Sequence, residues 1–157
     1  MKNLRLITIL ISLILLTSCG FKIIDKRELI NFDIKQIYTN GDRRINFELK
    51  NKLSDYSNIN SNKIIEIELD TKKTKSIKEK NIKNEITKYQ IKVTVNVKLI
   101  TTDNRSKLKF TIEQEGDYVV AEKFSQTFDN EKKLIRNIIN KISENIISEI
   151  INKLNVI

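Results

Sequence analysis

The chain has no histidine, no proline and no tryptophan among its 157 residues, and it has one cysteine and three glycines. Without histidine it lacks the usual general base near neutral pH and the commonest metal ligand. Without proline it has no residue of fixed φ to stiffen its turns. Gly20, Gly41 and Gly116 are too scattered to form a phosphate-cradling loop. Cys19 has no second cysteine to pair with, so packing alone must hold the fold. Acid–base chemistry would fall to carboxylates near predicted turns, Asp103, Glu113, Glu115 and Asp117. They belong to no sequence pattern that marks a nucleophile or a cleft, and Ser125 has no histidine partner. No calcium-loop spacing occurs either. The expectation is a protein that is not an enzyme and uses no metal or cofactor.

What the chain does have is an apolar run behind a basic start. Lys2 and Arg5 precede Leu6–Leu16, which only Thr8 and Ser12 interrupt. A membrane-spanning helix needs roughly 20 residues, so this run reads as a cleaved signal peptide. It ends in Leu16-Thr17-Ser18-Cys19, which resembles a lipobox. In such signals the cysteine is acylated and the chain is cut before it. Each buried CH₂ contributes about 0.8 kcal/mol, and more than one acyl chain is needed for a stable anchor. Gly20 resembles an outer-membrane sorting signal, since aspartate after the cysteine tends to retain proteobacterial lipoproteins at the inner membrane. The expected organisation is a signal peptide over 1–18, a lipidated tether over 19–31 and one domain over 32–157.

The net charge is +9, from 29 basic and 20 acidic side chains. Removal of Lys2 and Arg5 with the signal lowers it to +7. A basic exported domain suits lipid phosphates or another acidic surface, and nucleic acid is not expected as a partner.

Phe32–Tyr38 alternates imperfectly, with Phe32, Ile34 and Tyr38 sharing a face, Gln36 interrupting it and Ile37 opposite. This predicts a first strand, broken at Asn40-Gly41-Asp42. Asp42 can cap a helix carrying Ile45, Leu49, Leu53 and Tyr56 on one stripe, with Phe47 off it. Ser54–Asn62 ends that helix. Ile65, Ile67 and Leu69 then alternate with acids, a strand with one wet face. Thr71–Lys83, with six lysines, either extends that strand or forms a connection. From Lys88 to Leu99 the alternation is strict and rich in valine, the clearest strand of the chain. Thr102–Arg105 reads as a turn into a strand bearing Leu108, Phe110 and Ile112, which closes an antiparallel hairpin. Glu115-Gly116-Asp117 reads as a second break, and Tyr118–Phe128 as irregular or partly extended. Asp129 reads as the cap of a final helix over 129–155, whose isoleucines recur every three or four residues. The fold class predicted is α+β, two amphipathic helices packed on one face of a four-stranded largely antiparallel sheet.

Cys19-Gly20-Phe21, Thr87-Lys88-Tyr89, the Asp103-Asn104 turn, Tyr118-Val119-Val120 and Phe124-Ser125 before a long helix follow one another in this order. In that succession the chain resembles the LptE family of outer-membrane lipoproteins of lipopolysaccharide assembly. The resemblance implies a non-catalytic plug within an LptD-like outer-membrane β-barrel, lipid-anchored on the periplasmic side. Such a plug supports assembly of the barrel and delivery of lipopolysaccharide. It also implies lipopolysaccharide binding through basic residues. By position and charge the candidates are Arg105 and Lys107 at the hairpin tip, then Lys92 and Lys98 on its polar face. Arg105 can grip a phosphate bidentately, as lysine cannot. A different outer-membrane lipoprotein, such as a pilotin-like chaperone or envelope adaptor, would need the same tether and basic domain.

Overall fold

Alternating and helical hydrophobic patterns divide the chain into six elements, seen in a computed structural model that describes residues 31–59, 61, 63–101 and 107–155. They are β1 (Asp33–Gly41), α1 (Arg43–Ser54), β2 (Ile64–Lys80), β3 (Ile86–Thr101), β4 (Lys107–Val119) and α2 (Phe124–Asn155). Cys19, Gly20, the Thr102–Arg105 turn and the Lys107 side chain lie outside the described residues. The sheet order is β1-β2-β3-β4. β2, β3 and β4 form an antiparallel meander, whereas β1 runs parallel to β2 because α1 carries the chain back across the sheet. The predicted α+β architecture is the one observed.

The inner face of the sheet is built from alternate strand residues. Ile65, Ile67 and Leu69 of β2 and Ile91, Val93, Val95, Val97 and Leu99 of β3 are buried there. Both helices cover this face. α1 contributes Ile45, Leu49 and Leu53, and α2 contributes a stripe from Ile135 to Leu154. Isoleucine is a modest helix former, so this stripe, more than intrinsic propensity, holds α2. Phe47 lies off the α1 stripe and stays exposed.

Three details depart from the sequence pattern. In β1, Ile34 pairs with Ile65 but Gln36 pairs with Glu66, so Lys35 forms a bulge. The extra residue reverses the alternation: Ile37 is buried with Ile34, and Tyr38 turns to the other face. Second, Glu115-Gly116-Asp117 is no break, because β4 runs through it to Val119. A Cβ on Gly116 would stand 2.6 Å from Cδ1 of Leu134, so the glycine marks the place where α2 presses on the strand. Third, the segment after β4 is short and α2 begins at Phe124. The Thr127 hydroxyl accepts from Ala121 N and bonds its carbonyl, which organises the turn, and Asp129 sits within the helix. Of the two readings of the lysine-rich stretch the structure has the strand, since β2 extends to Lys80.

At the β1–α1 corner the sequence reading holds. The Asp42 carboxylate accepts from Arg44 N and Ile45 N at 3.1 and 3.0 Å, capping α1. Its backbone N–H donates to the Thr71 hydroxyl and carbonyl. Buried Asn46 donates to Asn40 O at 3.0 Å and accepts from Thr71 Oγ1 at 2.8 Å. Gly41 has φ +96°, and a Cβ there would fall 1.9 Å from the Thr71 carbonyl oxygen.

Gly41→Ala should therefore cost about 3 kcal/mol or more in urea unfolding, since strained φ and a backbone collision coincide. Gly116→Ala meets only the end of a flexible leucine and should cost at most about 1 kcal/mol. Equal costs would show that the corner is not the constraint. Leu49→Ala, at a position with no exposure, should cost about 2–5 kcal/mol by the same measurement.

Candidate functional site

The face of the sheet away from the helices is mostly polar, with Tyr38 and Val119 as its exposed apolar residues. Cross-strand register sets its side chains in rows. One row is Tyr38, Glu68, Lys98 and Lys109; the next is Asn40, Asp70, Asn96 and Thr111. Together they line an open groove of about 680 Å³. Within it Asn40 donates to Asp70 at 2.9 Å, and the Thr111 hydroxyl donates to Asn96 Oδ1 at 2.8 Å. Lys98 Nζ reaches both carboxylate oxygens of Glu68, at 2.7 and 2.9 Å.

The two described candidates for phosphate binding thus lie on one face, as expected, but both carry acidic partners. Lys92 Nζ is 2.7 Å from Glu113, which also accepts from Thr94 Oγ1. Hydrogen bonding to Glu113 raises the Lys92 pKa, and the Lys92 and Thr94 hydrogen bonds hold Glu113 below its ordinary range. At either lysine an incoming phosphate competes with a carboxylate already in place. Lys109, opposite Lys98 in the register and exposed, has no acidic partner among the described residues. Sequence reasoning passed over it, although its place between Leu108 and Phe110 puts it on this face. The partners Glu68 and Glu113 could be assigned only once the register was known.

Glu113, Glu115 and Asp117 follow one another along the same face of β4. They stand on an open strand, with Glu113 tied to Lys92 and Asp117 4.0 Å from Lys78. No cluster of acids, cysteine or histidine among the described residues could hold a metal ion.

A second polar cluster lies on the helix side. Lys75 of β2 reaches Glu131 of α2 at 2.8 Å, and the Tyr118 hydroxyl donates to the same carboxylate oxygen at 2.7 Å. The ammonium also sits 4.3 Å from the Tyr89 ring centre, and Tyr89 stacks on Tyr118 with centroids 5.7 Å apart. This cluster ties the far part of β2 to the start of α2. Burial disfavours ionised Glu131, but hydrogen bonds from Lys75 and Tyr118 outweigh it and lower its pKa. Burial likewise opposes the charge on Lys75, and the bonds to Glu131 and Tyr118 overcome it and raise its pKa.

A lowered carboxylate pKa contributes stability that is full above the unfolded value, about 4.3, and is lost as pH falls through the folded value. Glu131→Gln should thus destabilise the chain by about 0.5–1 kcal/mol at pH 7, a figure already reduced for solvent screening. The difference should shrink by pH 3 in parallel denaturant titrations. A gap that persists undiminished in acid would assign the effect to packing.

No protein-family model and no curated protein sequence matches the chain. Solved structures do. Rare lipoprotein B from Shewanella oneidensis superposes with a TM-score of 0.59 at 11% identity, over 78% of this chain and 98% of that one. An uncharacterized lipoprotein B from Nitrosomonas europaea gives 0.57 at 15% identity, over 87% of this chain and 93% of that one. At such identities the likeness is one of fold, and the two helices on a four-stranded mixed sheet described above are a fold this chain shares with bacterial lipoproteins.

Proposed function

We propose that the chain is a non-catalytic, lipid-anchored envelope protein of the LptE type. In this reading Cys19 carries the acyl anchor at the periplasmic side of the outer membrane. The folded domain plugs an LptD-like β-barrel, supports its assembly and assists delivery of lipopolysaccharide. The observation that carries the reading is a coincidence of two independent features. A tetrad resembling a lipobox ends at Cys19, and the domain that follows has the fold of bacterial lipoproteins over nearly their whole length. The polar outer face adds to it. A plug inside a barrel meets a polar wall, and ion pairs such as Lys98–Glu68 can exchange partners there at small cost.

Affinity capture of the mature acylated chain from outer membranes, followed by mass spectrometry, tests the proposal. A stoichiometric large β-barrel is expected. Recovery of another defined complex, with no barrel in it, would overturn the LptE reading in favour of a pilotin-like chaperone or envelope adaptor.

Direct lipopolysaccharide binding is a separate part of the proposal, carried by Arg105 and Lys107 with Lys92 and Lys98 behind them. Arg105→Ala should weaken lipopolysaccharide binding about tenfold, the effect of one charge-assisted hydrogen bond. Lys92→Ala and Lys98→Ala should each weaken it less, since Glu113 and Glu68 already hold those ammonium groups. Unchanged affinity of the Arg105 variant in a binding titration would remove that assignment.

A further inference from the structure

β1 covers only the first half of β2. Their pairing ends at Gly41 and Thr71, where the chain leaves the sheet to form α1. β2 continues for nine more residues, Lys72 to Lys80, paired on one side alone with β3. All nine are exposed. The lane that β1 occupies beside the first half of β2 is empty beside the second among the described residues. At about 3.3 Å per residue it is about 30 Å long.

The orientation of the backbone along this edge follows from the bonds at its start. Lys63 O and Thr71 O both accept from the β1 side, from Asp33 N and Asp42 N. Odd-numbered residues of β2 therefore turn their peptide groups toward β1. The register with β3 is unbroken from Ile65 to Ile77, so the same parity continues. Lys73, Lys75 and Ile77 present their N–H and C=O groups to the open lane, and Lys72, Thr74 and Ser76 bond to β3. Such a row is a template for a further strand.

Charge decides which strand fits. Lys72 and Lys80 have no acidic partner among the described residues, while Lys73, Lys75 and Lys78 face Asp42, Glu131 and Asp117. A second copy pairing through this same edge would bring lysine rows together. A flat anionic lipid surface would satisfy the lysines but offers nothing that pairs with in-plane peptide groups. A strand that alternates acidic and apolar residues answers both the charge and the exposed Ile77.

We infer that the Lys72–Lys80 edge of β2 is an acceptor site for an added β-strand bearing acidic residues on a partner protein. The inference rests on the fold and not on the proposed role in lipopolysaccharide assembly. Lysine on this edge then has two effects, keeping out copies of itself and drawing in an acidic segment.

The probe is a capped peptide alternating glutamate and valine, titrated onto the mature chain in detergent while amide hydrogen exchange is followed. Binding should slow exchange at Lys73, Lys75 and Ile77 and leave Thr74 and Ser76 unchanged. Ile77→Pro removes one outward N–H without touching the bonds to β3 and should weaken binding about five- to tenfold. Ile77→Thr keeps the N–H and should weaken binding only about two- to threefold, through the lost apolar contact alone. Equal affinity of the proline variant, no slowing at the three amides, or no binding would each overturn the proposal. So would concentration-dependent slowing without peptide, which would make a second copy the occupant. Slowing produced by phosphatidylglycerol vesicles and not by the peptide would make it a lipid surface.

Discussion

No side chain fits between Gly41 and the carbonyl of Thr71, and much of the molecule follows from that contact. The positive φ of Gly41 turns the chain out of the sheet. One residue later Asp42 caps α1 with its side chain while its backbone ties back to Thr71. Asn46, the one buried amide of α1, closes the same knot through Asn40 and Thr71. Three elements meet in a few hydrogen bonds, each polar group satisfied by another, which is what a buried corner requires. The knot fixes where β1 stops, and so how much of β2 remains uncovered.

The sheet separates two kinds of interaction. Its inner face is a continuous apolar layer under both helices, non-directional and costly to open. Its outer face is a lattice of exposed ion pairs and amide–hydroxyl bonds that contribute little stability individually. A surface of this second kind can trade internal partners for external ones without loosening the fold. The Lys75–Glu131–Tyr118 cluster lies between the two kinds, polar in chemistry but partly screened from water. It holds the uncovered half of β2 against α2, where apolar contacts are fewer.

Much of this order was legible in the residues. The run from Tyr89 to Leu99 alternates without fault, and the isoleucines of α2 keep helical spacing, because each element has one buried face throughout. Asp42 was readable as a cap for the same local reason. The rest depends on distant partners. Nothing near Lys35 announces a bulge; only the pairing of Ile34 and Gln36 with β2 reveals it. Gly116 reads as a break because glycine is depleted in strands, but its role is set by Leu134 on a helix not yet formed. Read alone, the lysines of β2 repel one another, whereas Asp42 from the cap of α1, Glu131 from α2 and Asp117 from β4 meet them in the fold. Lys92 and Lys98 were placed on the right face by alternation alone, and their acidic partners lay beyond its reach.

The parallel pairing of β1 also has a consequence in time. β2, β3 and β4 join through hairpins, so their contacts close short loops and form early. β1 pairs with β2 only across the α1 crossover, at the edge of a sheet whose other strands are sequence neighbours. Contact order therefore predicts that the first strand docks late. Until it does, both halves of the β2 edge lie open, and the arrival of β1 divides a long uncommitted margin into a sealed half and a half that remains available.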